Sequence, residues 1–172
     1  MTLPRISGGV FFENGSIMIT GIGIALIWII ADQVTKAWAS SALQETASIN
    51  VLGHWLRFTY VQNEGAAFGI LSGQKWFFIL LSIAALVFLL LMLKRYQRVH
   101  FFYTVSMGLI IGGAVGNLID RVRFGSVVDF IQVDFIEAIH FPVFNVADIG
   151  VTVGVFTLGV LLLLLPEQAW RK

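Results

Sequence analysis

The sequence contains no cysteine, only three prolines, and charged residues at just 12% of its 172 positions. Without cysteine there can be no disulfide, cysteine-ligated zinc, iron–sulfur cluster or cysteine nucleophile. The charged share is about half of the roughly 25% typical of soluble domains, and a formal net charge of +1 leaves no basic surface for nucleic acid. Apolar residues make up 58% of the chain, and the mean hydropathy is +0.87. A water-soluble globule of this length could not bury so much apolar surface, so we interpret the chain as a membrane protein.

Four stretches of 18 or 19 residues lack Asp, Glu, Lys and Arg: Asn14–Ala31, Trp76–Leu93, Phe101–Ile119 and Ile149–Pro166. At about 1.5 Å per residue, each is long enough to cross the hydrocarbon core as a helix. An isolated apolar segment satisfies its backbone in lipid only as a helix. We therefore predict an all-α membrane protein, a single polytopic domain with four transmembrane helices. We expect the first span to be retained, not cleaved as a signal peptide, since Asp32 and Lys36 follow it directly.

The orientation follows from the cations. The linker Lys94–Arg98 carries three of them between two spans, which is typical of a cytoplasmic loop. Arg5 and the Arg171–Lys172 pair at the termini agree with this assignment. We therefore predict that both termini are cytoplasmic and that the long loops, residues 32–75 and 120–148, are periplasmic.

These long loops are not random polar linkers. Leu56–Gln62 is rich in β-branched and aromatic residues and ends at the turn signal Asn63-Glu64-Gly65, which predicts a strand on the outer membrane surface. Phe130–Ile139 fits either a second strand or a short amphipathic helix resting at the interface. We expect a small periplasmic β element and an interfacial segment between spans 3 and 4.

Eight of the ten acidic residues fall on the predicted outward side. Asp32 closes the first span, Asp120 closes the third and Asp148 opens the fourth, so antiparallel helices bring all three to one membrane surface. Ionisable groups at such depth are costly and usually functional. For Asp32 and Asp120 the alternative is a purely structural role, in which each forms an ion pair at the membrane interface. Asp32 would pair with Lys36, and Asp120 with Arg121 or the nearby Arg123.

Asp148 also has a structural explanation, since Asn145 fits a helix N-cap with Asp148 at the third helical position. Asp129 has none, because it is a lone acid in an apolar run with no cation within four residues. Two neighbouring carboxylates cannot both ionise cheaply, so one keeps a proton and the other can act as a base. Asp129 and Asp148 are the best candidates for such a coupled pair, with Asp148 ionised because it begins a helix.

Glycines recur every four residues in the third span, at Gly108, Gly112 and Gly116, and again in the fourth, at Gly150 and Gly154. Such spacing favours close helix packing, which we expect to join the third and fourth spans and to draw Asp120 towards Asp148. Asn117 and Arg121 are four residues apart and therefore point in the same direction.

Other chemistries receive little support from the sequence. No HExxH or Gly-x-Ser-x-Gly motif occurs, and a dyad of Ser126 with His140 or of Ser40 with Lys36 is a weak alternative. A small proton-coupled carrier could use the acids at the span ends as relay groups, although carriers place such groups near the midplane and often show repeated halves. A structural subunit would not need Asp129.

Five motifs, in order and across most of the chain, resemble those of the lipoprotein signal peptidases, the bacterial type II signal peptidases: Asp32–Lys36, Asn63–Phe68, Gly116–Arg121, Val127–Phe130 and Phe141–Asp148. The resemblance implies an aspartic endopeptidase of the cytoplasmic (inner) membrane. It would cut the signal peptide from diacylglyceryl-modified prolipoproteins on the amino side of the lipidated cysteine. The strand at Leu56–Gln62 would join a β cradle over the bilayer. Three segments depart from the family pattern: Met1–Ser16, Val133–His140 and Ile149-Gly150.

The resemblance also implies roles for individual residues. Asp129 and Asp148 would be the catalytic pair. Three residues would order the site and hold the substrate backbone: Asn117, Arg121 and Asn145. Five more would support that arrangement: Asp32, Lys36, Asn63, Gly65 and Asp120. The implied partners are the prolipoprotein substrate and membrane lipids, with no nucleic acid, no metal and no organic cofactor, and we expect a monomer.

Overall fold

The computed structural model describes residues 16–45, 48–53, 55–65, 73–96, 100–134 and 141–170. Four helices dominate it: α1 Ser16–Leu43, α2 Lys75–Tyr96, α3 Phe101–Phe124 and α4 Val146–Leu164. Three strands lie between them: β1 Ile49–Leu52, β2 Leu56–Asn63 and β3 Val127–Val133, and a short 3-10 turn, Glu167–Ala169, follows α4. Each of the four helices is long and apolar enough to cross a membrane, which confirms the four predicted spans.

The first helix is longer than the apolar stretch that predicted it. The prediction ended the span at Ala31, yet α1 continues to Leu43, so Asp32 and Lys36 lie within the helix and not after it. The apolar run stops at Asp32, but Lys36 one turn later pairs with that carboxylate at 2.9 Å, and the helix continues with both charges buried. Similarly, α3 runs past Ile119 to Phe124, where Gly125 adopts the left-handed conformation with φ 82° and ends the helix.

Helix α3 is the centre of the bundle. Of the residues in its membrane-spanning stretch, 56% are buried inside the protein, compared with 17–22% for the other three helices. Its glycines allow this close approach: a Cβ on Gly108 would lie 2.8 Å from the carbonyl oxygen of Gly21, and one on Gly112 would lie 2.9 Å from that of Ala25. Both contacts are with α1.

The predicted use of this glycine stripe was therefore partly wrong. We expected it to join α3 to α4, but Gly108, Gly112 and Gly116 all face α1. Helices α3 and α4 do pack closely, as predicted. A Cβ on Gly154, one of the predicted glycines of the fourth span, would lie 2.7 Å from the carbonyl oxygen of Ser106, and Gly113, on another face of α3, lies against Ala147. The spacing of four identified residues that allow close packing but not the neighbour that each one meets.

The three strands form one antiparallel sheet in the order β1-β2-β3. Strand β2 confirms the strand predicted at Leu56–Gln62, and the first part of the ambiguous segment, as far as Val133, is strand. Residues 135–139, the rest of that segment, lie outside the described residues. Aromatic rings fasten the sheet to α1, because Trp38 contacts Phe58 with ring centroids 5.4 Å apart and Phe130 at 6.1 Å. The sheet is thereby held against the bundle, with Asp129 on β3, its most buried strand.

Candidate active site

Asp148 lies in the first turn of α4, where the predicted cap is present. The Asn145 side chain accepts a hydrogen bond from the Asp148 amide at 3.0 Å, and the Asn145 amide donates to Asp148 Oδ2 at 3.1 Å. From α3, the Asn117 side-chain amide donates to the other oxygen, Oδ1, at 2.8 Å. Both carboxylate oxygens therefore have fixed donors at the start of a helix, which holds the carboxylate in one orientation.

Asp129 lies on β3 and is only 3% exposed. Its carboxylate accepts hydrogen bonds from two side-chain amides, Asn145 Nδ2 to Oδ1 at 2.6 Å and Asn63 Nδ2 to Oδ2 at 3.0 Å. Burial raises the pKa of Asp129 to about 6, and the charge of Asp148 acts in the same direction, whereas the hydrogen bonds from Asn63 and Asn145 oppose the rise. Asp129 therefore keeps its proton to a higher pH than an ordinary aspartate does.

Both carboxyl groups line one cavity of about 420 Å³. Asn145 joins them, since its side-chain amide donates to Asp129 while its backbone amide donates to Asp148. Four other predicted site residues share the cavity wall: Asn63, Gly65, Asn117 and Arg121. The structure thus brings together two acids that are 19 positions apart in sequence, in a space large enough for a peptide segment and a water molecule. Such an arrangement suits general acid–base hydrolysis.

Lys36 is the centre of a second, fully buried cluster beneath the cavity. Its ammonium group lies 2.9 Å from Asp32 Oδ2 and 3.0 Å from Asp120 Oδ2, and it donates to Asn117 Oδ1 at 2.8 Å. The predicted pair of Asp32 with Lys36 is present. The predicted pairing of Asp120 with Arg121 or Arg123 is wrong.

The helical geometry of α3 explains this difference. Successive side chains on a helix point about 100° apart, so Asp120 faces α1 and Lys36 while Arg121 turns into the cavity wall. The guanidinium of Arg121 lies 5.2 Å from the centre of the Phe78 ring, and that of Arg123 lies 5.0 Å from the Phe124 ring.

Each acid of the buried cluster holds the backbone just before one of the cavity acids. Asp32 Oδ1 accepts from the amide of Ala147, which precedes Asp148, at 2.9 Å. Asp120 Oδ2 accepts from the amide of Val128, which precedes Asp129, at 3.1 Å. Because Lys36 binds both acids, one ammonium group links α1, α3, β3 and α4 at the positions that set the geometry of the carboxyl pair.

Residues 24–164 match the family model described as signal peptidase (SPase) II. The chain belongs to this family. It is 44% identical over 135 residues to the lipoprotein signal peptidase of Bacillus velezensis, covering 78% of this chain and 88% of that protein. It is 40% identical over 147 residues to the lipoprotein signal peptidase of Symbiobacterium thermophilum, covering 86% and 96%. A bacterial membrane enzyme solved by the in meso method at 1.9 Å is 37% identical with a TM-score of 0.76, covering 89% of this chain and 96% of that one.

Gln33 is a residue of the buried cluster that the sequence analysis missed. Its side-chain amide donates to Asp120 Oδ1 at 3.0 Å, to Asp32 Oδ2 at 3.2 Å and to the carbonyl oxygen of Gly116 at 3.3 Å. It therefore ties α1 to α3 alongside Lys36. The sequence signal for Gln33 is its place in the first motif, between Asp32 and Lys36. Because its side chain is neutral, an analysis based on charged residues does not identify it.

The geometry does not fit the other chemistries considered from the sequence. The hydroxyl of Ser40 donates to the carbonyl oxygen of Lys36 at 2.9 Å, while the Lys36 ammonium is taken by two carboxylates, so the pair cannot act as a nucleophile and its base. His140, the proposed partner of Ser126, lies outside the described residues. Across the described part of the chain, no three His, Cys, Asp or Glu residues cluster as a metal site would require. Membership of a peptidase family also gives no support to the carrier alternative.

Proposed function

We propose that Asp129 and Asp148 are the catalytic pair with which this chain removes signal peptides from diacylglyceryl-modified prolipoproteins. As a member of the signal peptidase II family, with relatives named lipoprotein signal peptidase, it is an aspartic endopeptidase that processes prolipoproteins. The cut would lie on the amino side of the lipidated cysteine. One observation carries the assignment to these two acids: both line the same cavity and both are bound by Asn145.

Hydrolysis would use a water molecule between the two carboxyl groups. Asp148 takes a proton from the water molecule while the oxygen of that water attacks the peptide carbonyl carbon. Asp129, protonated at the start, donates a hydrogen bond to the carbonyl oxygen and stabilises the charge that develops there. When the tetrahedral intermediate breaks down, the proton held by Asp148 passes to the leaving nitrogen. The pair returns to its singly protonated state without any metal or cofactor.

The neighbouring side chains would hold this geometry and receive the peptide. Asn117 and Asn145 fix the carboxylate orientations, so the attacking water meets a prearranged pair. Arg121, on the cavity wall, can donate to backbone carbonyls of an extended substrate segment. Lys36 and its two acids act only through backbone and side-chain contacts, which makes them positioning residues.

We also propose that the cavity faces the periplasm at the outer surface of the inner membrane, with both termini cytoplasmic and one chain acting as a monomeric domain. The cationic end of α2 supports this orientation, because Lys94 and Arg95 lie at the opposite end of the bundle. Apolar residues such as Phe141, Ile149 and Val153 line the cavity beside the acids. They would let the substrate's acyl chains remain in lipid while its scissile bond reaches the carboxyl groups.

The test is cleavage of a diacylglyceryl-modified prolipoprotein by the purified protein in detergent or proteoliposomes. Asp129→Asn and Asp148→Asn should each lower the rate about 10²- to 10⁴-fold or more, since each removes one acid–base group. Asp134→Asn is the matched control, because Asp134 directly follows the same strand but pairs with Arg57 outside the cavity. This variant should cleave the substrate at the normal rate. Absence of cleavage by the unmodified protein, or full activity of either Asp129→Asn or Asp148→Asn, would reject the assignment.

A further inference from the structure

A second cavity, of about 340 Å³, lies at the end of the bundle away from the carboxyl pair. It is a groove between α2 and α4, floored by the first turns of α3 at Tyr103 and Met107. Its walls are apolar, with Leu89 and Met92 on α2 and Leu158 and Leu162 on α4 among the lining residues. Because these helices span the membrane, the groove faces lipid and not water.

Three aromatic residues close the groove at the end that is farther from the carboxyl pair. The ring centroids of Tyr96, Tyr103 and Trp170 lie 5.9–6.2 Å from one another, and the Tyr103 hydroxyl donates to the carbonyl oxygen of Met92 at 2.8 Å, which fixes its ring. Trp and Tyr are enriched where a bilayer changes from acyl chains to headgroups. The cluster therefore indicates that the groove ends at the headgroup level.

This end of the groove is cationic. Lys94 and Arg95 are exposed at the end of α2, and the Arg95 guanidinium lies 5.4 Å from the centre of the Tyr96 ring, one of the residues that line the groove. Glu167, the acid at this end among the described residues, is not part of the lining. An apolar groove with cations at its headgroup end is complementary to a lipid that has an acyl chain and a negatively charged headgroup.

We propose that this groove binds one acyl chain of an anionic phospholipid whose phosphate contacts Lys94 and Arg95. The rival occupant is the apolar segment of a signal peptide, whose amino-terminal region is positively charged. With its cleavage site at the carboxyl pair, that cationic region would meet Lys94 and Arg95, so like charges would oppose it. Charge complementarity therefore favours the anionic lipid.

Trp170 provides a direct readout, because bromine atoms on an acyl chain quench tryptophan fluorescence at short range. The experiment places the full chain in nanodiscs that contain brominated phosphatidylglycerol or, at the same fraction, brominated phosphatidylcholine. The signal assigned to the groove is the part of the fluorescence that Trp170→Phe removes. We expect several-fold stronger quenching of this part by the anionic lipid.

Charge variants separate specific binding from general contact with lipid. The double substitution of Lys94→Gln with Arg95→Gln should abolish the preference for phosphatidylglycerol, whereas Arg123→Gln, which removes a cation at the opposite end of α3, should keep it. Equal quenching by both lipids, or a preference that survives the double substitution, would overturn the proposal, as would displacement of the anionic lipid by a synthetic signal peptide. The measurement needs no cleavage, so it also works with Asp129→Asn, and its result is independent of the proposed function.

Discussion

Two pairs of acids lie close together in this protein and are compensated in opposite ways. Asp32 and Asp120 share one buried ammonium group, Lys36, at 2.9 and 3.0 Å. Asp129 and Asp148 are held by neutral asparagine amides instead. An ion pair with a buried cation fixes a carboxylate firmly in place. Asp129, which is buried and bound by neutral amides, has its pKa raised to about 6 and can therefore exchange a proton within the ordinary pH range. The difference separates the pair that positions the backbone from the pair proposed to perform the chemistry.

Removing the cation from the first pair should have the largest effect. Lys36→Met keeps the length of the side chain but leaves two buried carboxylates without their partner, so we expect a loss of about 3–5 kcal/mol in the free energy of unfolding. Cleavage should also fall, because Asn117 loses the donor that orients it towards Asp148. Thermal and denaturant unfolding in detergent measure the first effect, and prolipoprotein cleavage measures the second.

Two further variants make this result interpretable. Lys75→Met removes a lysine whose ammonium donates to the carbonyl oxygen of Val122 at 3.4 Å and lies 5.9 Å from the centre of the Trp76 ring, without a carboxylate partner among the described residues. It should cost less than 1 kcal/mol. Adding Asp32→Asn and Asp120→Asn to Lys36→Met should restore part of the lost stability, since no buried charge then remains unpaired. If Lys36→Met were as stable as Lys75→Met, the buried cluster would not have the structural role assigned to it.

The raised pKa of Asp129, in the second pair, should be visible in the pH dependence of stability. The pKa of Asp129 lies at about 6 in the folded protein, above its ordinary value of 3.8, so ionisation opposes folding and stability falls as the pH rises through 6. The shift corresponds to about 3 kcal/mol at full ionisation. Asn at this position carries no charge at any pH. The stability of Asp129→Asn relative to the unmodified protein should therefore increase between pH 4.5 and pH 8, and a difference that does not vary with pH would contradict the raised pKa.

The sequence was most informative where one local rule decides the structure. The four spans follow from uninterrupted apolar runs, β2 follows from its β-branched and aromatic residues, and the cap of α4 follows from the spacing of Asn145 and Asp148. Asp129 could be singled out because no local partner explained it. These features depend on residues a few positions apart, for which propensity and periodicity are sufficient.

The failures all involve partners that are distant in sequence. The sequence predicts that the first span ends at Ala31, because a charge such as that of Asp32 normally ends a membrane span. No local pattern shows that Asp120 is available to receive Lys36. The glycine spacing in α3 likewise could not tell α1 from α4 as the neighbour. Gln33 was missed because a neutral amide becomes informative only when both of the acids that it binds are known to be adjacent.

The smallest expected effect tests a single amide of the second pair. Asn63 donates to Asp129 Oδ2 at 3.0 Å and opposes the rise in the pKa of that carboxyl group. Asn63→Leu keeps the site buried but removes the donor, so the pKa of Asp129 should rise further, by about one unit for a bond worth about 1.4 kcal/mol. Since the reaction needs Asp129 protonated, the alkaline limb of kcat/KM should move to higher pH by that amount.

Gln62→Leu is the matched control for this variant, because the neighbouring side chain on β2 is exposed and donates to the Tyr60 hydroxyl instead. It should leave the pH profile unchanged. If Asn63→Leu instead moved the acidic limb to higher pH and left the alkaline limb in place, Asp129 would be the base and Asp148 the acid of the proposed pair. The two roles would then be exchanged, although the same two carboxyl groups would still carry the reaction.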